Sequence, residues 1–329
     1  MKLKIGIIGC GRMGERHYLA YQKIPSAEII GFADIDENKS KNFAKKFRKN
    51  FFRLYEMIKD EQIDAIDICS SNESHAEHSI HALKNGKHVL VEKPMALKLK
   101  DCDKMILESK KNNVNLMVGQ TYRFYPSSLK SKEIIDSGKI GKIKILFDHG
   151  LDPGFLSQKH NKKSISQVGV FLDTVHDIDL LRFLTGSEVK EVYVPLMDKI
   201  NDSSKVEQMG LITLKFVDGS AASIMPIVPS WNIRDRGLKI IGKTGALFVK
   251  YGEEIKVGQK NWTQYNFKYK SSPPSPEHNL QGFINELNEF VLSIKEKRIP
   301  SVSGIDGKKN LQVILAMYES FKTKKVVSL

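Results

Sequence analysis

A glycine-rich turn near the amino terminus restricts the fold of this chain more than any other feature. The turn, GCGRMG, directly follows a short apolar run, Leu3–Gly9, and opens a helical pattern, Arg12–Lys23. Its first glycine permits a tight turn, its second lets a phosphate approach the backbone, and its third permits close helix–strand packing. We therefore predict a dinucleotide site with the pyrophosphate at the helix amino terminus. The residues assigned to it are Gly9, Gly11, Arg12, Met13 and Gly14.

Up to about residue 118 the sequence alternates between short apolar runs and segments of helical length. The apolar runs are Leu3–Gly9, Glu28–Ala33, Ala65–Cys69, His88–Val91 and Leu116–Val118. Strands and helices that alternate in this way form right-handed βαβ units. We therefore predict an N-terminal Rossmann domain, with a doubly wound parallel sheet, over residues 1–121.

The pattern changes beyond about residue 120. A helix and a strand lead into an irregular, polar stretch, Asp152–Gln167, and a helix follows at about Thr174–Leu184. Six alternating runs separated by turn signals then predict an antiparallel sheet. A Pro-rich surface loop, Ser271–Pro276, precedes two closing helices. We predict a C-terminal α+β domain over residues 122–329, with a large, open, mostly antiparallel sheet.

A carboxylate, Asp34, ends the second predicted strand, twenty residues after Gly14. At this position a carboxylate accepts hydrogen bonds from the adenosine ribose and repels a 2′-phosphate. We therefore predict NAD as the cofactor. NADP remains an alternative because lysines such as Lys39 follow, and Asp34 could instead cap the next helix.

The tripeptide Glu92-Lys93-Pro94 follows the predicted strand His88–Val91. It therefore lies at the carboxyl edge of the parallel sheet, where ligands bind in such folds. Lys93 can there stabilise negative charge on a substrate oxygen during hydride loss. A lone lysine is more often a solvated surface group, and only a second motif favours the catalytic interpretation. A cis bond before Pro94 would fix the loop.

The second motif, DTVHDID, opens an apolar helix at Asp173. Asp173 and His176 are three residues apart and would share one face of that helix. A histidine flanked by carboxylates is held in one tautomer and accepts a proton near neutral pH, as alcohol oxidation requires. Asp173 could alternatively be a helix cap, and Asp177 and Asp179 are interpreted as charges at a helix start.

The chain resembles the Gfo/Idh/MocA family, which includes glucose–fructose oxidoreductase and inositol dehydrogenase, over nearly its full length. The resemblance rests on GIIGCGRMG, ADID, HALKNGKHVLVEKPMAL, VGQTYRFYP with GKIGKI, GVFLDTVHDIDLLRFLTG and SVSGIDGKK. It implies a Rossmann domain, an α/β domain whose sheet packs against partners, and a catalytic lysine, matched by Lys93. The later Asp and His of the family match Asp173 and His176, although many members space them one residue further apart.

The resemblance also places a nicotinamide-binding loop after the third strand. The frequent Thr-Pro of the family is Ser70-Ser71 in this chain. Asn72 and His75 are predicted in a loop near the nicotinamide, and Ser70 is predicted to contact the ribose. Glu92 and Lys93 complete the assigned cofactor contacts.

These features predict an NAD-dependent enzyme that oxidises a ring hydroxyl of a sugar, nucleotide sugar or inositol, with no metal. In this reaction Lys93 polarises the reacting oxygen, His176 exchanges its proton and Asp173 binds a neighbouring hydroxyl. One alternative is a dehydrogenase specific for a UDP-N-acetylhexosamine, which the basic charge slightly favours. The other is a non-catalytic NAD-binding regulator on the same scaffold, which the presence of Lys93 and His176 disfavours.

Composition narrows the compartment and the partners. The net charge is +14, but the lysines are spread along the chain and no nucleic-acid-binding motif accompanies them. No stretch approaches the roughly 20 apolar residues of a membrane span. The three cysteines form no CxxC pair, so we expect free thiols and a cytoplasmic protein. An uncovered sheet face predicts a homodimer or homotetramer.

Overall fold

The computed structural model describes residues 1–152, 169–229, 233–251, 254–267 and 280–329. Most of the irregular stretch Asp152–Gln167, and all of the Pro-rich segment Ser271–Pro276, lie outside the described residues. The chain forms two compact units. They are Met1–Phe124 with Pro274–Leu311, and Tyr125–Pro273 with Gln312–Leu329. Of the helices that the structure describes, none combines the length and hydrophobicity needed to cross a bilayer.

The first unit is built on a parallel sheet. Among the described residues its six strands are β1 Leu3–Ile8, β2 Ala27–Ala33, β3 Asn50–Phe51, β4 Ala65–Ile68, β5 His88–Val91 and β6 Leu116–Val118. Their order is β3-β2-β1-β4-β5-β6, and every pair is parallel. The predicted Rossmann sheet is confirmed. Strand β3 was not predicted, since two residues are too few to show a period.

Helices alternate with these strands. They are α1 Arg12–Tyr21, α2 Glu37–Phe47, α3 Leu54–Lys59, α4 His75–Lys84 and α5 Leu99–Lys111. β4 is buried along its whole length, as expected of a central parallel strand with helices on both faces. The buried residues of α1 include Gly14, His17, Tyr18 and Tyr21, which follow the spacing of one helix face.

A late segment of the chain also belongs to the first unit. Helix α9, Leu280–Lys295, packs beside α1, and the ring centroid of Phe283 lies 5.6 Å from that of His17. Farther along, the Val118 amide donates to the Val302 carbonyl over 3.0 Å. The first unit is therefore assembled from two separate stretches of sequence.

The second unit contains a larger sheet. Within the described residues its strands are β7 Ile143–Leu151, β8 Val189–Asp198, β9 Met209–Phe216, β10 Ala221–Ile227, β11 Asp235–Gly242, β12 Ala246–Lys250, β13 Glu254–Gly258, β14 Trp262–Asn266 and β15 Val327–Ser328. The order is β14-β13-β12-β11-β7-β10-β9-β8-β15. Only β7 and β10 pair in parallel among these strands, so the predicted large, mostly antiparallel sheet is confirmed. The sequence analysis missed β14, which is polar and mainly exposed, and β15, which has two residues.

The two faces of this sheet differ. Helices α6 Pro126–Asp136, α7 Val170–Asp173, α8 Val175–Thr185 and α10 Gly304–Thr323, together with a 3₁₀ helix at Thr121–Phe124 in the first unit, complete the described elements. One face of the strands buries alternate apolar residues, Leu146, Ile212 and Ile224 among them. The opposite face carries large apolar side chains that are 36–45% exposed: Phe147, Tyr193, Leu196, Leu211 and Met225.

Candidate active site

The turn between β1 and α1 has the backbone that the glycines were predicted to allow. Gly9 has a φ of +109°, and a Cβ there would collide with the carbonyl oxygen of Cys69. A Cβ on Gly14 would collide with the carbonyl oxygen of Gly9, so this glycine permits the close approach of α1 to the turn. A side chain on either residue would push α1 away from the sheet.

The amino terminus of α1 is suited to an anion. Gly11 is the N-cap, makes no side-chain cap, and its Cβ would meet no atom within 4 Å. Arg12 is exposed and Met13 is partly buried. The first backbone N–H groups of the helix and its dipole are therefore available to phosphate oxygens. These residues fit the pyrophosphate of a dinucleotide.

Asp34 is held in a fixed position after β2. Its Oδ2 accepts from the Cys10 amide over 2.8 Å, and its Oδ1 accepts from the Asp36 amide over 3.1 Å. The helix α2 is capped by Asp36, whose side chain accepts from the amides of Asn38 and Lys39. The alternative in which Asp34 caps this helix is therefore wrong. Lys39 Nζ lies 3.8 Å from Asp34 Oδ2 and partly offsets its charge.

This geometry leads to a prediction about cofactor choice. Asp34→Asn should weaken NAD⁺ binding roughly tenfold or more, because a hydrogen bond to a charged acceptor is lost. NADP⁺ binding should improve, since the repulsion of a 2′-phosphate is removed. Fluorescence titration of NADH and NADPH measures both affinities. Lys39→Ala is the matched control and should weaken NADPH alone; equal NADH and NADPH affinities in the wild type would contradict the assignment.

The loop after β4 is connected to the turn after β5. His75 Nδ1 lies 2.8 Å from the Pro94 carbonyl oxygen, and Nε2 lies 3.2 Å from the Ser70 carbonyl oxygen. Ser70 Oγ lies 3.0 Å from His78 Nδ1. Burial lowers the pKa of His75. Asn72 lies in the turn before α4, but His75 is the first residue of that helix and is 1% exposed, so its predicted position in a loop is wrong.

The Glu92-Lys93-Pro94 turn lies at the carboxyl end of β5, as predicted. Glu92 is 7% exposed, and its Oε2 accepts from the Lys93 amide over 3.0 Å. Lys93 itself is partly buried, and the Lys93–Pro94 bond is cis. The carboxylate therefore fixes the backbone from which the lysine side chain extends.

A buried polar cluster that the sequence analysis missed adjoins this turn. His17 Nδ1 lies 2.8 Å from Asp67 Oδ2, and Nε2 lies 3.1 Å from Glu92 Oε1. Neither His17 nor Asp67 has measurable exposure. Burial alone would lower the pKa of His17, but the Asp67 carboxylate raises it, and the result lies well above the usual value. The ring is a buried imidazolium.

A third acid completes the cluster. Glu286 on α9 is fully buried, and its Oε2 accepts from Thr121 Oγ1 over 2.9 Å. Burial and the charge of Glu92 raise the pKa of Glu286 to about 8. Its Oε1 has no hydrogen-bond partner in the described part of the chain. Glu286 is therefore protonated at neutral pH.

Asp173 and His176 lie on two consecutive helices in the second unit. Asp173 is the last residue of α7, Thr174 forms a joint with ψ 0°, and His176 is the second residue of α8. The predicted continuous helix is therefore divided at Thr174. Thr174 keeps a right-handed helical backbone and its amide donates to the Val170 carbonyl over 3.1 Å, so the shared face of Asp173 and His176 stays a prediction. Thr174 Oγ1 donates to the Phe171 carbonyl over 2.6 Å and stabilises the joint. Both Asp173 and His176 are partly buried.

The start of α7 is fixed by a partly buried contact. Glu207 Oε1 accepts from the Phe171 amide over 3.2 Å and from the Tyr318 hydroxyl over 2.7 Å. A Cβ on Gly169 would collide with this carboxylate. Gly169 is thus required for the close approach of Glu207 to the helix that carries Asp173.

Asp177 and Asp179, interpreted as charges at a helix start, are buried. Arg236 donates to Asp177 Oδ1 over 3.2 Å, and the Tyr251 hydroxyl donates to Asp148 Oδ1 over 3.3 Å. Burial and the charge of Asp177 raise the pKa of Asp148. The segment that begins at His176 is therefore anchored by polar contacts on its buried side.

Comparison with known proteins identifies the family. Residues 3–120 match the oxidoreductase family with an NAD-binding Rossmann fold, and residues 132–329 match the C-terminal alpha/beta domain of that family. The chain belongs to the Gfo/Idh/MocA family. The predicted family is confirmed, and with it an oxidoreductase whose first domain binds NAD.

Relatives of known name cover the whole chain. The myo-inositol 2-dehydrogenase of Thermotoga maritima is 30% identical over 99% of this chain and 98% of its own length. The scyllo-inositol 2-dehydrogenase (NAD(+)) of Bacillus subtilis is 27% identical, with coverage of 100% and 96%. A solved structure of a probable dehydrogenase from Thermotoga maritima superposes with a TM-score of 0.86 at 29% identity, covering 99% of this chain and 98% of that chain.

Proposed function

We propose that this oxidoreductase oxidises a ring hydroxyl of a cyclic polyol of the inositol class, with NAD⁺ as the hydride acceptor. The observation that carries the proposal is Lys93, held by Glu92 at the carboxyl edge of the sheet, in a chain related over its full length to two inositol dehydrogenases. The UDP-N-acetylhexosamine alternative has no comparable support. The regulator alternative is disfavoured because Lys93 and His176 are both present.

Each residue in the proposed reaction has a distinct task. The Lys93 ammonium donates to the reacting oxygen and stabilises its negative charge. His176 takes the hydroxyl proton as a general base, and Asp173 accepts a hydrogen bond from a neighbouring hydroxyl. The glycine turn holds the pyrophosphate and Asp34 holds the ribose, while Ser70 and Asn72 line the nicotinamide side. The buried His75 contacts the Ser70 carbonyl and positions this loop. Bound NAD⁺ supplies the carbon that accepts the hydride.

A substrate screen tests the proposal. NADH formation is measured with myo-inositol, scyllo-inositol, a set of aldoses and UDP-N-acetylglucosamine. We expect turnover with at least one inositol at a kcat/KM well above that for any UDP sugar. Turnover with UDP-N-acetylglucosamine alone would support the nucleotide-sugar alternative. NAD⁺ binding without turnover on any of them would support the regulator.

We also propose that the protein is a homodimer or homotetramer that buries the exposed sheet face. Phe147 and Met225, 43% and 45% exposed, lie on the same face of neighbouring strands, because Phe147 pairs with Ser223. Light scattering should give a dimer or tetramer for the wild type and a smaller species for the double variant Phe147→Lys, Met225→Lys. Leu107→Lys, which changes a 62% exposed residue on α5, is the control and should leave the mass unchanged. A wild-type monomer at micromolar concentration would contradict the proposal.

A cytoplasmic location is part of the same proposal. Cys10, Cys69 and Cys102 are all buried and free. Thiols of this kind are typical of a reducing compartment.

A further inference from the structure

A continuous path of polar contacts runs from the centre of the sheet to the backbone of Lys93. Asp67 on β4 contacts His17 Nδ1, and His17 Nε2 contacts Glu92 Oε1. Glu92 Oε2 in turn accepts the Lys93 amide proton. The Glu92 amide donates to the Ile68 carbonyl over 2.9 Å. Both carboxylate oxygens and the backbone of Glu92 are therefore held.

The two carboxylate contacts favour a charged His17. Each ring nitrogen lies beside a carboxylate oxygen, and a neutral imidazole has only one N–H to donate. Two further titratable groups of the described chain interact with the ring: Cys69, whose Sγ lies 3.4 Å from Nδ1, and Glu286 on α9. Both are neutral, since burial raises the pKa of each. The imidazolium is thus the counter-charge of Asp67 and Glu92 within this cluster.

We infer that His17 is a positioning residue for the proposed reaction: it clamps Glu92, and Glu92 fixes the backbone position of the catalytic Lys93. The inference rests on the proposed function of Lys93. A lysine that must meet one substrate oxygen is sensitive to small displacements, and an error of about 1 Å can lower turnover about 100-fold. Asp67 anchors the other end of the clamp in the rigid centre of the sheet.

Two amide substitutions separate the two halves of the clamp. His17→Gln places an amide nitrogen near the position of Nε2 and keeps a donor to Glu92. His17→Asn places an amide nitrogen near the position of Nδ1 and keeps a donor to Asp67 only. Both variants lose the positive charge of His17 and a similar amount of side-chain packing. If His17 served stability alone, the two substitutions would therefore affect kcat to a similar extent.

We expect His17→Asn to lower kcat about 100-fold, with little change in the dissociation constant of NAD⁺. His17→Gln should retain at least about ten times the kcat of His17→Asn. The control is His88→Asn, a second histidine of the first unit, whose Nδ1 accepts from the Asn115 amide and which does not contact Glu92. This variant should lower the melting temperature without lowering kcat.

A second measurement does not depend on turnover. The rate at which an amine-reactive reagent labels Lys93, followed by peptide mass spectrometry, should change in His17→Asn and match the wild type in His88→Asn. If the wild type oxidises no polyol but the labelling responds as expected, the proposed function fails and the positioning role stands. Equal kcat in His17→Asn, His17→Gln and the wild type, with unchanged labelling, would overturn the inference.

Discussion

Lys93→Met and His176→Asn should each lower kcat by about 10²–10⁴-fold, the usual size of a lost general acid or base contribution. NAD⁺ affinity should stay near the wild-type value, because the glycine turn and Asp34 are unchanged. Methionine retains the length of the lysine side chain but has no charge to stabilise an alkoxide. Steady-state kinetics with the inositol found in the screen, together with NADH titration, measures both quantities.

Two comparisons make this prediction specific. The double variant should be little slower than the slower single variant, because residues that act on one oxygen as a unit have non-additive effects. Lys98→Met, which changes an exposed lysine of the same loop, should retain full activity. Wild-type turnover in either single variant would remove Lys93 or His176 from the mechanism. Asp173→Asn should raise the apparent KM for the polyol more than it changes cofactor binding.

The fold of the first unit was predictable because its signals are local. The glycine turn and the apolar runs at Leu3–Gly9 and Ala65–Cys69 each indicate the backbone conformation of their own segment. Packing between distant segments has no such signal. Helix α9 has the ordinary pattern of an amphipathic helix. Its place in the first unit is seen only in the structure, where Phe283 contacts His17 and Glu286 accepts from Thr121.

The site was predictable in its motifs and less so in its geometry. The helix is divided at Thr174, whose hydroxyl donates to the Phe171 carbonyl, and sequence spacing does not reveal this division. The sequence does contain a sign of the His17 cluster. Asp67 lies within the apolar run AIDIC, and His17 occupies the buried stripe of α1 with Gly14 and Tyr18. A charged side chain on a buried face requires a partner. The pairing of His17 with Asp67 could therefore have been predicted from the sequence.

Glu286→Gln should stabilise the first unit at alkaline pH and have little effect near pH 4.5. In the folded protein the pKa of Glu286 is about 8, against an ordinary value of 4.5. Between these values the unfolded chain has lost the proton and the folded chain retains it. The contribution of this group to stability therefore falls as pH rises through that window, by at most about 5 kcal/mol. Glutamine resembles the protonated form of Glu286 but does not titrate, so Glu286→Gln does not lose this contribution as pH rises.

The contribution of His17 to stability also falls as pH rises, but over a different pH range. Its folded pKa is raised, so its contribution is fully present below the ordinary pKa of 6.5 and is lost as pH rises through the folded value. Together, Glu286 and His17 should make the wild type lose stability as the pH rises above about 5. The difference between Glu286→Gln and the wild type reports the titration of Glu286 together with its electrostatic coupling to His17.

Glu289, one turn farther along α9, provides a control of opposite sign. It is partly buried, which raises its pKa, but hydrogen bonds from Arg298 over 2.6 and 2.7 Å lower it more, and the net pKa is depressed. Its contribution to stability is present above its ordinary pKa and is lost as pH falls. Glu289→Gln should therefore destabilise the protein at neutral pH, where Glu286→Gln should not.

Calorimetry between about pH 5 and about pH 9 distinguishes these effects. The transition of the first unit is the one that NAD⁺ shifts upward, because a ligand stabilises the unit that binds it. The melting temperature of Glu286→Gln should rise relative to the wild type as pH increases, whereas that of Glu289→Gln should stay below it. Parallel curves for Glu286→Gln and the wild type would mean that Glu286 is ionised throughout. The buried cluster would then carry three carboxylates on one imidazolium, and the account of how Glu92 is held beside Lys93 would have to be revised.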